Sequence, residues 1–113
     1  MTYTIAVTTI PEPEPVFTDT QAPVLNLTQP STSKFYFTRA ATINLLGTAS
    51  DNVGVKEIRW AIAQGGSGVA NGTSSWEALN VPLAKRWNNI TITAEDEAGN
   101  KTLYNLTVFS WRR

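Results

Sequence analysis

Two short stretches constrain the fold more than anything else in this chain: Ser50 to Val55, SDNVGV, and Glu95 to Asn100, EDEAGN. Each places a carboxylate in a glycine-containing turn between two runs of alternating apolar and polar residues. Ahead of the second turn lies Asn89 to Glu95, NITITAE, with Ile90, Ile92 and Ala94 on one face and Thr91, Thr93 and Glu95 on the other. That period of two marks a half-buried strand. Asp96 can cap the following turn through the local backbone, and Gly99 supplies a left-handed position, so the chain reverses into Lys101 to Phe109.

The same reading extends along the chain. Pro23 to Thr28 offers Leu25 and Leu27 to a core, Thr42 to Ala49 offers Ile43 and Leu45, and Val55 to Ile62 offers Ile58, Trp60 and Ile62. Gly65 to Gly72, GGSGVANG, reads as a loop with room for a short edge strand. Trp76 to Leu83 contributes Val81 and Leu83, with Pro82 marking an edge or a bulge. The last strand contributes Tyr104, Leu106 and Val108. No segment carries a helical period, so the expected class is all-β, a Greek-key sandwich.

Before this series stands Thr2 to Ile10, TYTIAVTTI, a strand by pattern, and then Pro11 to Pro15, PEPEP, a semi-rigid spacer. The expected boundary therefore separates residues 1–18, a strand-like segment and Pro/Glu linker, from a sandwich over 19–113. Thr2 to Ile10 can belong to a preceding module, form an edge of this one, or pair with a second molecule and drive self-association.

Composition excludes several functions. The chain of 113 residues has no Cys and no His, so disulfides, Cys-ligated zinc and Ser/His or Cys/His nucleophilic triads are impossible. Nine basic and nine acidic residues cancel, which leaves no electrostatic footprint for nucleic acid. No apolar run is long enough for membrane insertion, and the first residues lack the features of a signal peptide, so Met1 reads as an added start.

The succession DTQAPVLNLTQP, INLLGTASDNVGVKEIRW, SSWEALNVPL and NNITITAEDEAGNKTLYNLTV, from Asp19 to Val108, resembles the bacterial Ig-like modules that recur in tandem in secreted and cell-surface proteins. The resemblance implies an Ig-like Greek-key β-sandwich of about seven antiparallel strands. It also implies a non-catalytic structural or adhesive module of a multidomain extracellular or cell-envelope protein, with neighbouring modules, a glycan or a surface protein as partners. The alternative is a carbohydrate-binding accessory module of an extracellular glycan-active enzyme. The chain departs from these modules at Leu83 to Asn89, LAKRWNN, where Lys85, Arg86 and Trp87 replace a glycine-containing turn.

Four tryptophans need separate readings. Trp60 is in phase with Ile58 and Ile62 and reads as the core tryptophan of an Ig-type sandwich. Trp76 reads as a lid on the sandwich, with contact to a ligand as the alternative. Trp87, between Arg86 and Asn88, can fold back over the sandwich end or stack on a sugar. Trp111 extends an edge or begins a linker. Arg86, Trp87 and Trp76 are thus the candidate glycan-contacting residues.

The carboxylates form a second constellation. In an Ig-like sandwich the turns holding Asp51 and Asp96 and the approach to the first strand at Asp19 share one pole, with Asn52, Glu97 and Asn100 nearby. Three carboxylates with backbone carbonyls suit Ca²⁺. Each Asp can equally cap its own turn. Five Asn-x-Ser/Thr sequons, at Asn26, Asn71, Asn89, Asn100 and Asn105, arise readily in a Thr-rich β chain and establish nothing. Asp51 and Asp96 as a hydrolytic pair would require a cleft that nothing in the sequence provides.

Overall fold

The computed structural model describes residues 19–63 and 65–112; the expected strand at Thr2 to Ile10 and its spacer lie outside the described residues. Eight strands follow in order: β1 (Val24–Gln29), β2 (Phe35–Thr38), β3 (Thr42–Ser50), β4 (Val55–Ile62), β5 (Ser67–Val69), β6 (Ser75–Pro82), β7 (Arg86–Asp96) and β8 (Lys101–Ser110). They form a three-stranded sheet, β1-β3-β6, and a five-stranded sheet, β2-β8-β7-β4-β5. The chain is thus an all-β sandwich whose connections cross repeatedly between its two layers.

The period-two patterns place the core between those layers. Ile43 and Leu45 from β3, Ile58 and Ile62 from β4, Ile90, Ile92 and Ala94 from β7, and Leu106 and Val108 from β8 are all buried. The β7–β8 hairpin is the backbone of the larger sheet, pairing without a slip from Arg86↔Ser110 to Glu95↔Lys101. Its turn closes with the Gly99 amide donating to the Asp96 carbonyl at 3.1 Å. Gly99 has φ of 94°, a left-handed conformation that a residue with a Cβ adopts only with strain.

Two features differ from the expectation. Phe35–Thr38 is a strand of its own and runs parallel to the last strand, so one pair in the sandwich is not antiparallel. In addition, Trp76, not Trp60, is the deeply buried tryptophan: Trp76 is 2% exposed, whereas Trp60 is only partly buried against the core, beside edge strand β5. The reason is geometric. Trp76 lies opposite Gly47, where a Cβ would collide with the Asn26 carbonyl and stand 2.5 Å from the indole, so the missing side chain is what admits the ring.

Candidate functional site

Strand β7 carries a buried polar residue at each end of the sandwich, Asp96 and Asn88, both 0% exposed. At roughly 3.3 Å per residue they stand about 26 Å apart and define two poles.

At the first pole Asp96 organises its own turn. One carboxylate oxygen accepts from the Ala98 amide at 3.0 Å and the Asn100 amide at 2.8 Å. The other accepts from the Asn100 side-chain amide at 2.9 Å, and that same amide donates to the Asp19 carbonyl at 2.7 Å, tying the approach to β1 onto the hairpin. Burial pushes the Asp96 carboxyl up, but interactions with the Asn100 side chain, the Asn100 amide, the Asp19 side chain and the Ala98 amide, in that order, outweigh it and hold the pKa below the ordinary carboxylate value.

Asp51 and Asp19 join this pole. Asp51 Oδ2 accepts from the Val53 and Gly54 amides at 3.0 and 3.1 Å, and Asp19 Oδ1 accepts from the Gln21 amide at 3.0 Å. Each aspartate therefore caps its own turn, and the structure also brings all three together, with one carboxylate oxygen from each within 4.8 Å of the others. The remaining oxygens, Asp19 Oδ2 and Asp51 Oδ1, are buried with no hydrogen-bond partner. Two orphaned anionic oxygens beside a third carboxylate are a donor set for a hard cation. Asn52 and Glu97 are exposed.

At the opposite pole Asn88 performs the equivalent task without charge. Its Oδ1 accepts from the Ala84 amide at 2.8 Å, and its Nδ2 donates to the carbonyls of Ala84, Arg86 and Val108 at 2.9, 3.2 and 3.3 Å. The turn so fixed leaves Arg86 at φ of 76° and exposed. Chain and pole are joined again by Arg112, whose guanidinium donates to the Leu83 carbonyl at 2.9 Å and the Ser110 hydroxyl at 2.8 Å.

Trp87 points outward here, 48% exposed, with its ring edge-on to Phe109 at 4.7 Å between centroids. Phe37 stands 6.2 Å from Phe109, and Arg39 lies 4.3 Å over the Trp111 ring. Trp87 thus gathers with Phe37, Phe109 and Trp111, while Arg86, the residue before it, is exposed and paired with the buried Ser110. Trp76 is not among these rings: it is sealed in the core, and the expectation that it contacts a ligand is corrected by its burial. Phe37, Phe109 and Arg39 went unpredicted. The run FYFTR was the available signal, but nothing in it shows which strand will lie beside it.

No family model and no curated protein matches this chain. Among solved structures it resembles the fibronectin(III)-like modules of Clostridium thermocellum CbhA, with a TM-score of 0.61 at 17% sequence identity, over 79% of this chain and 46% of that one. The chain therefore spans less than half of that structure, and the likeness is one of fold: a fibronectin(III)-like, Ig-like β-sandwich.

Proposed function

We infer that the chain is a non-catalytic structural module of a multidomain extracellular or cell-envelope protein. The observation that carries this reading is how β2, near the start of the described chain, is joined to the last strand, β8. Asp19 lies at the carboxylate pole and Arg112 at the opposite one. Between them β2 runs parallel to β8 in the register Phe35↔Thr107 to Thr38↔Ser110. The Thr107 amide donates to the Lys34 carbonyl at 2.8 Å and the Trp111 amide to the Thr38 carbonyl at 2.9 Å. Tension along the axis would load these bonds together in shear, as a spacer between neighbouring modules requires.

Single-molecule extension tests this. Pulling between residues 19 and 112 should give one cooperative rupture, at a clearly higher force than pulling between residues 38 and 112, which peels β2 from β8 one bond at a time. Equal forces in the two geometries would contradict a tension-bearing role.

A bound Ca²⁺ at the carboxylate pole belongs to the same proposal, held by Asp19, Asp51 and Asp96 with the Asp19 Oδ2 and Asp51 Oδ1 oxygens as its first claimants. The ion would neutralise the clustered carboxylates and fix the approach to β1. A second reading, carbohydrate binding, is favoured by the exposed aromatic corner of Phe37, Trp87, Phe109 and Trp111. Retardation of the protein in gels containing soluble polysaccharides checks it.

A further inference from the structure

We propose that the aromatic corner binds an anionic polysaccharide, a chain of uronate-bearing sugars. This rests on the carbohydrate-binding reading and goes beyond it by naming the charge of the glycan. Phe37, Trp87 and Trp111 are 62%, 48% and 50% exposed and gather with Phe109 on the outer face of the five-stranded sheet. Such ring surfaces take the apolar C–H faces of pyranoses. The surface is open and not enclosed, which suits a polymer passing across it better than a small molecule held within.

The charge around the rings is of one sign. Residues 34–44, 82–90 and 106–112, the segments that carry these four rings, hold Lys34, Arg39, Lys85, Arg86 and Arg112 and contain no Asp or Glu. The Arg112 guanidinium is engaged with Leu83, Ser110 and Ala40, whereas Lys85, just before β7, and Arg86, its first residue, are exposed. Arg39 sits over Trp111, placing a cation directly on one of the rings. Carboxylates spaced along a sugar backbone complement a guanidinium set on an aromatic face, with the exposed Lys85 and Arg86 next to Trp87 in the chain.

Arg86 supplies an independent pointer. At φ of 76° it occupies a conformation suited to glycine, in a turn whose geometry is dictated by Asn88 and not by Arg86 itself. A left-handed, exposed arginine next to an exposed tryptophan departs from the local backbone preference, which makes it a place to look for contact.

Affinity electrophoresis and calorimetry with three polymers test the proposal: polygalacturonate, its methyl ester, and polyglutamate. The protein should bind polygalacturonate about tenfold or more tightly than the other two, since the ester lacks charge and the polypeptide lacks sugar rings. Trp87→Ala should weaken binding. Arg86→Gly should also weaken it, while leaving the melting temperature unchanged or raised, which separates contact from folding. Equal binding to the ester would overturn the anionic assignment and leave the carbohydrate-binding reading standing. Binding to neither polysaccharide would remove both. Binding to polyglutamate as tight as to polygalacturonate would make the corner a general polyanion surface, and overturn the proposal. So would self-association in sedimentation velocity that Arg86→Glu abolishes, since a second copy would then be the occupant.

Discussion

Asp96 and Asn88 occupy opposite ends of one strand, are equally buried, and each ties down a turn by bonding to a residue four positions away, yet one is charged and the other is not. The difference decides what each pole can do. An amide both donates and accepts, so Asn88 satisfies the Ala84, Arg86 and Val108 carbonyls and the Ala84 amide together, and its pole is closed. A carboxylate only accepts. Asp96 can gather amides, but it offers nothing to the oxygens of Asp19 and Asp51 beside it, and its pole stays short of positive charge. The function proposed for the carboxylate pole is therefore internal, a matter of what enters the cluster. At the Asn88 pole it is external, a matter of what lies on the surface that the turn displays.

Exchanging the two side-chain types breaks this comparison most severely. Asn88→Asp would set a buried carboxylate against three carbonyl oxygens and should destabilise the domain by roughly 4 kcal/mol or more, visible as loss of the cooperative urea transition. Asn88→Ala, which merely orphans the same groups, should cost about 2 to 4 kcal/mol in the same assay. Asp96→Asn removes one of three clustered negative charges and should be far milder without Ca²⁺. A transition lost in Asp96→Asn but kept in Asn88→Asp would reverse the roles assigned to the two ends.

Ca²⁺ sharpens the comparison. At about one hundred times its dissociation constant it should stabilise the wild type by about 2.7 kcal/mol by mass action, a rise of roughly 10 °C or more in a domain of this size. Asp96→Asn should abolish the rise, and Arg86→Gly should keep it. Without Ca²⁺, pH acts in a fixed direction. Because the folded-state pKa of Asp96 is depressed, its contribution is fully present above the ordinary carboxylate value of about 3.9 and is lost as pH falls through the lower, folded value. Acid titration of the melting temperature should therefore show a fall below about pH 4 that is smaller in Asp96→Asn.

The smallest effect belongs to the exposed turn. Arg86→Gly relieves a left-handed backbone and should stabilise by about 1 kcal/mol or less, since the freer unfolded chain of glycine offsets part of the relief.

How much of this was legible in the sequence follows from the range of each interaction. Alternation reported which face of β3, β4, β7 and β8 is buried, because that depends on residues two apart. The convergence of Asp19, Asp51 and Asp96 was readable once the fold was, since an Ig-like topology fixes which turns share a pole. Trp76 packs on the sandwich as its lid reading has it, but the relative depth of Trp76 and Trp60 was not legible, because depth depends on the strand opposite: Gly47 faces Trp76 and leaves it room, whereas Trp60 lies beside edge strand β5. Strand β2 was missed because its partner is the end of the chain, some seventy residues away, and four residues carry too little pattern to announce a parallel edge. Alternation puts Asn88 in phase with Ile90, but its role was not legible, since two of the groups it bonds, the Ala84 amide and the Val108 carbonyl, are set by the turn and by the neighbouring strand.

The most direct test of two poles with separate tasks is a single thermal-shift experiment on wild type, Asp96→Asn and Arg86→Gly, each with Ca²⁺ and with polygalacturonate. The account predicts that Ca²⁺ raises the melting temperature of wild type and Arg86→Gly but not of Asp96→Asn. It predicts that polygalacturonate, in the presence of chelator, raises that of wild type and Asp96→Asn and raises that of Arg86→Gly less. A Ca²⁺ response that survives Asp96→Asn, or a polygalacturonate response indifferent to Arg86→Gly, would contradict it.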